Sequence, residues 1–359
     1  MRVLVLNDFF GDWSGSELVA IEIAEYFSAT TSSFWCANPV KSVLEDWQPL
    51  DDLNLCDFDL VWAQQHAILP LLDRLNDGDL RPHIVWASLS PYEPMEVLPK
   101  ALVDEYVDLV VANSSETARA RGIDVTFGNA APSRFHVTRP ERPRKRVLFV
   151  SNNQPEEMLK AAEILHNRGY QVRFIGRNKE YKRIEPSDIL WADCVVTIGK
   201  TARYALATGT PVFVYDRFGG DGYLNDENYS LNEEFNFSGR PTCRKLSAVD
   251  LAHQIIETPS GWLPPKQESL EAFLDKIAAH AERNEFLRHP DLEGSAAVSA
   301  ALGSWLVQTH EWKSIAAQFE RGQIGSWKWL AKCVRKKIVR TPKELGRAIR
   351  LLRDAPDLR

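Results

Sequence analysis

The segment 193–216 constrains the fold more than any other part of this chain. An apolar run ends at Gly199-Lys200-Thr201, a helical stretch follows and stops at Gly209, and a second apolar run begins at Pro211. Two apolar runs on either side of a helix predict parallel strands joined by a crossover. The backbone N–H groups at the start of such a helix are unpaired and its dipole is positive there. The pattern therefore predicts an anion site, above all for a phosphate.

The same alternation of strand and helix runs along most of the chain. Its first part predicts a strand at 3–6, a helix at 15–27, strands at 33–36 and 59–63, a helix near 69–75, strands at 83–87 and 108–112, a helix from Ser114 or Ser115, and a strand at 124–127. Its second part predicts a strand at 146–150, a helix at 155–168, a strand at 171–175, the segment described above, and helices at 246–256, 269–288 and 296–319. This order predicts an α/β protein with two similar Rossmann-like domains, each a parallel sheet with helices on both faces.

The domain boundaries follow from a change of composition. The segment 132–146 has three prolines and six Lys/Arg residues without apolar periodicity, which is typical of a linker. We therefore divide the chain into a first Rossmann-like domain at 1–135, a linker at 136–145, a second Rossmann-like domain at 146–300, and C-terminal helices with a basic tail at 301–359.

The composition fits a globular protein and argues against several other classes. The chain has 359 residues, of which 44% are hydrophobic and 26% charged, enough for two domains. Its five cysteines stand far apart without a C-x-x-C pair, which argues against a zinc site or a disulfide scaffold and for a reducing compartment. The N-terminus does not resemble a signal sequence, and no apolar run approaches the roughly 18 residues of a membrane helix. We expect a cytoplasmic protein with neither a metal nor a cofactor.

The net charge of −6 conceals a basic tail on an acidic body. Residues 327–359 contain eleven Lys/Arg and three Asp/Glu, a net charge of +8, which leaves −14 for the rest of the chain. Tryptophans and aliphatic residues recur between these charges at mostly helical spacing, so residues 327–353 predict an amphipathic segment that meets an anionic membrane surface, on the inner face of the membrane. The alternative is a terminal helix packed back across the first domain. No motif that reads nucleic acid is present, and we expect no nucleic-acid partner.

Several short motifs occur in the order known from one enzyme family. They lie at 13–17, 59–66, 112–116, 127–135, 207–212 and 218–220. Over roughly residues 1–230, their order resembles the GT-B glycosyltransferases, particularly the large family-four type that uses nucleotide-sugar donors. The resemblance implies two Rossmann-like domains with a cleft between them. It also implies that the first domain binds the acceptor and the second binds the nucleotide sugar.

The chain also departs from the family's pattern. The family's two glutamates, eight positions apart, would fall on Val196 and Tyr204, and both are missing. The usual Arg and Lys after the first strand of the second domain are replaced by Ser151-Asn152-Asn153-Gln154. Because the second glutamate normally holds the nucleotide ribose, the resemblance leaves the donor base open. The motifs at 199–204 and 218–222 resemble a divergent subgroup associated with bacterial surface polysaccharide.

On the donor side, the resemblance implies that helix dipoles, backbone amides and basic side chains stabilise the leaving diphosphate without a metal. The candidate donor-binding residues are Arg177, Gly199, Lys200, Thr201, Tyr204, Asp216, Gly219, Gly220, Asp221 and Gly222, with Lys200 also a candidate catalytic residue. The glycines at 219–222 are expected in a loop that lets backbone approach a ligand. Alternatives stay open: Lys200 as an exposed lysine of an ordinary strand–helix turn, Tyr204 packed against the sheet instead of stacked on a base or sugar, and aspartates that only hold the loop.

On the acceptor side, His66 follows a strand and is a candidate base towards an acceptor hydroxyl. The alternative is a structural histidine. The loop before the first helix is a candidate for binding a donor phosphate or the acceptor, and its residues are Gly11, Ser14, Gly15, Ser16 and Glu17. The alternative there is a plain helix cap formed by the serines.

Together these residues predict a glycosyltransferase that moves a sugar from a nucleotide-sugar donor to a glycan or lipid-linked acceptor. Because both family glutamates are missing, a non-catalytic GT-B subunit that binds a sugar or a partner glycosyltransferase is one alternative. A nucleotide-sugar epimerase is a further alternative, although it needs several acid/base residues around the sugar and the sequence offers few.

Overall fold

In the computed structural model, the described residues are 1–7, 10, 13–33, 53–68, 71, 81–93, 96, 98, 103, 106–139, 145–257, 262 and 264–283. All of them lie within one compact unit, residues 1–292. The predicted site residue Gly11, most of the predicted helix near 69–75, the predicted helix at 296–319 and the basic tail lie outside the described residues.

The first half of this unit is a six-stranded parallel sheet. Its elements are β1 (Val3–Asn7), α1 (Gly15–Phe27), β2 (Thr30–Ser33), β3 (Leu60–Gln64), β4 (His83–Ser88), β5 (Leu109–Ala112), α2 (Ser115–Arg121) and β6 (Val125–Thr126). The hydrogen-bonded strand order is β2-β1-β3-β4-β5-β6, and all five strand pairs are parallel. Strands β1, β3 and β4 are buried along their whole length, as expected for apolar strands that are covered on both faces.

The second half repeats this arrangement with one antiparallel addition. Its elements are β7 (Arg146–Val150), α3 (Glu156–Asn167), β8 (Gln171–Ile175), α4 (Pro186–Trp191), β9 (Cys194–Thr197), α5 (Lys200–Ala207), β10 (Val212–Asp216), β11 (Gly219–Tyr223), α6 (Tyr229–Glu234) and α7 (Ala248–Ile256). The strand order is β11-β10-β9-β7-β8, and β11 runs antiparallel to β10. In both halves, the second strand lies on one side of the first strand and the third on the other, which is a doubly wound order. The predicted α/β class with two Rossmann-like halves is confirmed.

One further helix joins the two halves. Helix α8 (Leu270–Arg283) follows the second half in sequence, yet its apolar residues belong to the hydrophobic core that also contains Val5 and Trp62 of the first half. Its start is held to the segment between the halves, because the backbone N–H of Leu270 donates to the Ala131 carbonyl at 2.9 Å. The chain thus returns to the first half within the segment 146–300, which the composition had assigned to the second domain.

Two predictions of local structure were wrong. Strand β2 begins at Thr30, three residues before the predicted start, because α1 ends at Ser28 in a left-handed conformation (φ 49°) that turns the chain at once. The predicted glycine-rich loop is strand β11, which pairs with β10. A side chain is excluded at Gly220, where a Cβ atom would lie 1.9 Å from the Val214 carbonyl oxygen, so tight backbone packing requires this glycine. None of the described helices is long and apolar enough to cross a membrane.

Candidate functional site

The strand order of each sheet identifies where a ligand would bind. In open α/β sheets, ligands bind outside the carboxyl ends of the strands at the point where the strand order reverses. In the first half this point lies between β1 and β3, and in the second half between β7 and β9. We call the carboxyl ends of β1, β3 and β4 the first-half edge, and those of β7 to β10 the second-half edge.

The second-half edge is organised around a buried aspartate. The Ser151 hydroxyl, directly after β7, donates to Oδ1 of Asp216 at 3.0 Å, and the backbone N–H of Arg217 donates to the same oxygen at 2.7 Å. Burial raises the pKa of Asp216, and the hydrogen bonds from Arg217 and Ser151 oppose that rise. The predicted donor-binding residue Asp216 therefore lies at the expected edge, but as a buried group.

The polar residues that follow β7 shape the loops of this edge. Oδ1 of Asn152 accepts from the backbone N–H of Arg177 at 3.1 Å, and Nε2 of Gln154 donates to the Arg177 carbonyl at 2.9 Å. At Gly176, a Cβ atom would lie 1.9 Å from the Ser151 carbonyl oxygen, so the loops after β7 and β8 are in direct backbone contact. These bonds fix the Arg177 backbone at the end of β8 and leave the residue exposed.

The first-half edge contains buried polar side chains that have no partner within the described part of the chain. Gln64, the last residue of β3, has an exposed fraction of 0%, and neither its amide nitrogen nor its amide oxygen has a hydrogen-bond partner among the described residues. The same holds for Oε1 of Gln65 and for Oγ of Ser88, the last residue of β4. Gln65 has a positive φ of 57°, and its carbonyl accepts from Nε1 of Trp86 at 2.9 Å. The side chain of His66, the candidate base, lies outside the described residues.

The loop before α1 brings the two edges together. The backbone N–H of Trp13 donates to the Tyr181 hydroxyl at 3.2 Å, and Nδ2 of Asn152 lies 3.5 Å from the Trp13 carbonyl oxygen. Trp13 belongs to the first half, whereas Tyr181 and Asn152 follow β8 and β7 of the second half. The start of α1 therefore adjoins the second-half edge, as a site shared by the two halves requires.

The serines of this loop do not cap α1 in the usual way. Ser14 occupies the N-cap position in an extended conformation, but its side chain makes no capping hydrogen bond. Instead the Ser14 and Ser16 hydroxyls both donate to Oε2 of Glu17, the latter at 2.7 Å. The alternative of a plain serine cap is therefore wrong, and Gly15 is exposed at the start of the helix.

Lys200 is not an exposed residue of the second-half edge. Its ammonium forms an ion pair with Glu22 of α1 at 2.7 Å, and only 2% of its side chain is exposed. Nζ also lies 3.3 Å from the Ala130 carbonyl oxygen and 3.4 Å from Oδ1 of Asn129. The alternative that Lys200 is an exposed lysine is wrong, and its ammonium is committed to the first half. A role for Lys200 on the donor phosphate stays a prediction that this ion pair does not favour.

Tyr204, one turn further along α5, completes the same contact between the halves. It is fully buried, its ring stacks on Phe135 with centroids 4.0 Å apart, and its hydroxyl donates to Oε1 of Glu22. Nη2 of Arg134 lies 3.3 Å from the same oxygen. The structure thus favours the packed alternative over stacking on a base or sugar. We call Glu22, Arg134, Phe135, Lys200 and Tyr204 the junction cluster.

Burial dominates the titration of this cluster. It lowers the pKa of Lys200, although the nearby Glu22 carboxylate opposes the change. Burial and the same carboxylate raise the pKa of Tyr204 well above its usual value. A buried cation needs a partner, and Glu22 provides one for Lys200.

The remaining donor-side candidates lie beside these features. Gly199 precedes α5 with a positive φ of 62°, and its N–H donates to the Phe237 carbonyl at 3.1 Å. Thr201 is buried in the first turn of α5. In β11, a Cβ atom on Gly219 would lie 2.4 Å from a backbone oxygen of residue 244, and Asp221 accepts from the Thr242 hydroxyl. Gly219 and Gly220 therefore serve backbone packing.

Several of these residues have only weak signals in the sequence. Gln64 and Ser88 are the last residues of the apolar strands β3 and β4. A polar residue at the carboxyl end of a buried strand was the available sign of a ligand-binding position. Ser151 was noted only as a departure from the family. Glu22 lies between Ile21 and Ile23 of α1, whose bounds the sequence predicts correctly. An acidic residue between two buried apolar residues was the available sign that it has a buried partner.

Comparisons with known proteins give distant likenesses. No model of a protein family matches the sequence, and no curated protein matches it either. Among solved structures, it is similar to an alpha-glucosyltransferase in complex with UDP and a 13-mer DNA, with 9% identity and a TM-score of 0.43 over 79% of this chain and 100% of that one. It is also similar to the T4 phage beta-glucosyltransferase, with 10% identity and a TM-score of 0.36 over 79% of this chain and 100% of that one. A third similar structure is the wall teichoic acid polymerase TagF, with 13% identity and a TM-score of 0.39 over 78% of this chain and 88% of that one. The strand order described above carries the fold assignment.

Proposed function

We propose that the chain is a glycosyltransferase that moves a sugar from a nucleotide-sugar donor to a glycan or lipid-linked acceptor. The observation that carries the proposal is the contact of Trp13 with Tyr181 and Asn152, which joins the carboxyl ends of two similarly ordered sheets. Group transfer between two substrates needs both of them in one site that excludes water. The order of sequence motifs along the chain supports the same activity.

The donor is assigned to the second-half edge. Arg177 is exposed at the end of β8, and the N-terminus of α5 begins at Lys200, after Gly199. An arginine guanidinium and a helix N-terminus both favour a diphosphate. We assign the electrostatic role to Arg177 and to the α5 backbone, and a positioning role to Lys200, whose ammonium is paired with Glu22.

The acceptor is assigned to the first-half edge. The amide of Gln64 and the hydroxyl of Ser88 lie at this edge and are the kinds of donor and acceptor with which sugar hydroxyls pair. His66 directly follows Gln65 and stays our candidate for the base that accepts the acceptor proton.

Nucleotide binding tests the donor assignment. The full-length protein is heated with UDP, GDP, CDP, ADP or dTDP, and its melting temperature is recorded for the wild type, Arg177→Ala and Arg168→Ala. Arg168 is an exposed arginine that follows the last turn of α3, so its variant is the matched control. We expect one nucleotide to stabilise the wild type and the control, by about 2.7 kcal/mol at a hundred times its Kd, and to stabilise Arg177→Ala less. If none of the five nucleotides raises the melting temperature, the donor assignment fails.

A non-catalytic sugar-binding subunit is a second candidate, because the predicted catalytic lysine is buried in an ion pair and both family glutamates are missing. The nucleotide that binds is therefore supplied as its sugar conjugate, and release of nucleoside diphosphate is followed with and without saccharide acceptors. Release that depends on protein and rises with an acceptor supports the transferase. Binding without any release supports the non-catalytic subunit.

A further inference from the structure

An exposed tyrosine that is held in place lies at the first-half edge. Tyr92 follows β4, and its exposed fraction is 66%. Its loop is fixed from three directions. The Ser90 hydroxyl oxygen accepts from the Tyr92 N–H at 3.2 Å, Arg121 donates to the Pro91 carbonyl at 2.9 Å, and the Tyr92 hydroxyl donates to Oε1 of Glu116 at 2.7 Å. A surface aromatic that is ordered by so many contacts is preorganised for stacking.

The second half contributes to the same feature. The Arg240 guanidinium lies 5.1 Å from the centroid of the Tyr92 ring, within the range of a cation–π contact. Arg240 also donates to Oε2 of Glu116, so one carboxylate orients both the tyrosine and the arginine. Nε of Arg240 is buried and has no hydrogen-bond partner among the described residues. Since that nitrogen is buried, what the pair offers to a ligand is the exposed face of the Tyr92 ring and the exposed part of the Arg240 guanidinium.

We propose that Tyr92 and Arg240 form a binding platform for a neutral pyranose ring of the acceptor, which rests on the function proposed above. The carbon-bound hydrogens of a pyranose pack on an aromatic face, and its hydroxyls accept from a guanidinium. Because Tyr92 and Glu116 belong to the first half and Arg240 to the second, the platform is complete only when the halves meet as they do here. A sugar that binds both sides favours that arrangement.

The charges around the platform favour a neutral ligand over a nucleic acid. Arg119, Arg121 and Arg240 are positive, whereas Glu93, Glu96 and Glu116 are negative. Nucleic-acid sites that stack bases on aromatic rings also carry a positively charged groove along the phosphates. The charges beside Tyr92 are of both signs and balance, which differs from such a positively charged groove.

Saturation-transfer NMR on the full-length protein tests the platform. The probes are the methyl glycosides of glucose, galactose, mannose and N-acetylglucosamine, which have no aromatic aglycone that could stack by itself. The variants are Tyr92→Ala, Tyr92→Phe and Arg240→Gln, and Val249→Ala, an exposed apolar residue of α7, is the control. We expect at least one glycoside to bind the wild type, about tenfold more weakly to Tyr92→Ala, and within about threefold of wild type to Tyr92→Phe, which keeps the ring.

Three outcomes overturn the platform. They are binding of no glycoside, equal binding to the wild type and Tyr92→Ala, and Tyr92-dependent binding of an eight-residue oligothymidylate in place of the glycosides. The nucleotide panel is repeated on the same variants to separate the two proposals. A nucleotide shift without Tyr92-dependent glycoside binding removes only the platform, and the reverse result removes only the nucleotide-dependent transferase.

Discussion

Buried polar side chains have partners in the junction cluster, whereas Gln64 and Ser88 at the first-half edge have none among the described residues. In the junction cluster, Oε1 of Glu22 accepts from the Tyr204 hydroxyl and lies beside a guanidinium nitrogen of Arg134. Apart from its ion pair with the Lys200 ammonium, Oε2 of Glu22 has no hydrogen-bond partner among the described residues. At the first-half edge, both amide atoms of Gln64 lack partners among the described residues, although the side chain is equally buried. Satisfied polar groups hold elements together, whereas unsatisfied ones reduce stability until another molecule binds them. Substitutions in the two regions are therefore expected to change stability in opposite directions.

The largest effect is expected from Lys200→Met. The variant keeps much of the side-chain volume but leaves the Glu22 carboxylate buried without its closest cation. Breaking a buried ion pair on one side costs about 3–5 kcal/mol, and we expect the lower end because Arg134 remains near Glu22. Urea unfolding of the full-length protein measures the change.

Two further variants serve as controls for the effect of Lys200→Met on stability. Lys160→Met removes an exposed partner of Glu156 on α3 and should leave the free energy of unfolding close to that of the wild type. The double variant Lys200→Met/Glu22→Gln removes both charges and should recover part of the lost stability. If Lys200→Met costs no more than the Lys160 control, the ion pair does not hold the halves together, and the lysine is free for a ligand.

Tyr204→Phe is expected to have the next largest effect. It removes one hydroxyl that donates to the buried Glu22 carboxylate and keeps the ring stacked on Phe135. A hydrogen bond to a charged group contributes about 1.5–3 kcal/mol. Tyr223→Phe is the matched comparison, because that hydroxyl donates to the neutral Ile255 carbonyl at 2.7 Å and should contribute about 0.5–1.5 kcal/mol. Equal losses in the two variants would contradict the role assigned to the Glu22 charge.

The sequence predicted the elements well and the partners of individual side chains poorly. Helix α1 and strands β7 and β8 have the predicted bounds, because apolar runs, glycines and capping residues are local signals. Lys200 and Tyr204 were predicted to face a ligand, but their partner Glu22 lies 178 and 182 residues earlier, and no local pattern encodes such a pairing. The packing of α8 against the first half could not be predicted either, because it also depends on contacts between residues that are far apart in the sequence.

Gln64→Met tests the opposite region. If the Gln64 amide has no partner in the fold, an apolar side chain of similar length removes a desolvation penalty of about 1–3 kcal/mol, and we expect a gain in stability of about 1 kcal/mol. Gln267→Met is the control, since that amide donates to the Tyr229 hydroxyl at 2.9 Å and to the Pro265 carbonyl at 2.7 Å. The control should lose stability. A loss in both variants would place Gln64 among the paired residues and end the contrast.

A smaller, pH-dependent effect is expected at Asp216, which combines features of both regions because it accepts hydrogen bonds and is still buried. Burial raises the pKa of Asp216 above the usual 3.8. Between pH 3.8 and this raised pKa, the folded protein binds a proton that the unfolded chain does not. The free energy of unfolding of the wild type, relative to Asp216→Asn, therefore rises as the pH falls through this window.

The Asn variant should consequently be the more stable protein at neutral pH, where the wild type holds a buried charge, and its advantage should shrink as the pH approaches 4. Urea unfolding of both proteins at pH 7, 6, 5 and 4 measures the difference. Asp250→Asn, at an exposed position in the first turn of α7, is the control and should not show this advantage at neutral pH. An advantage of Asp216→Asn that grows on acidification would mean that the Ser151 and Arg217 bonds outweigh burial.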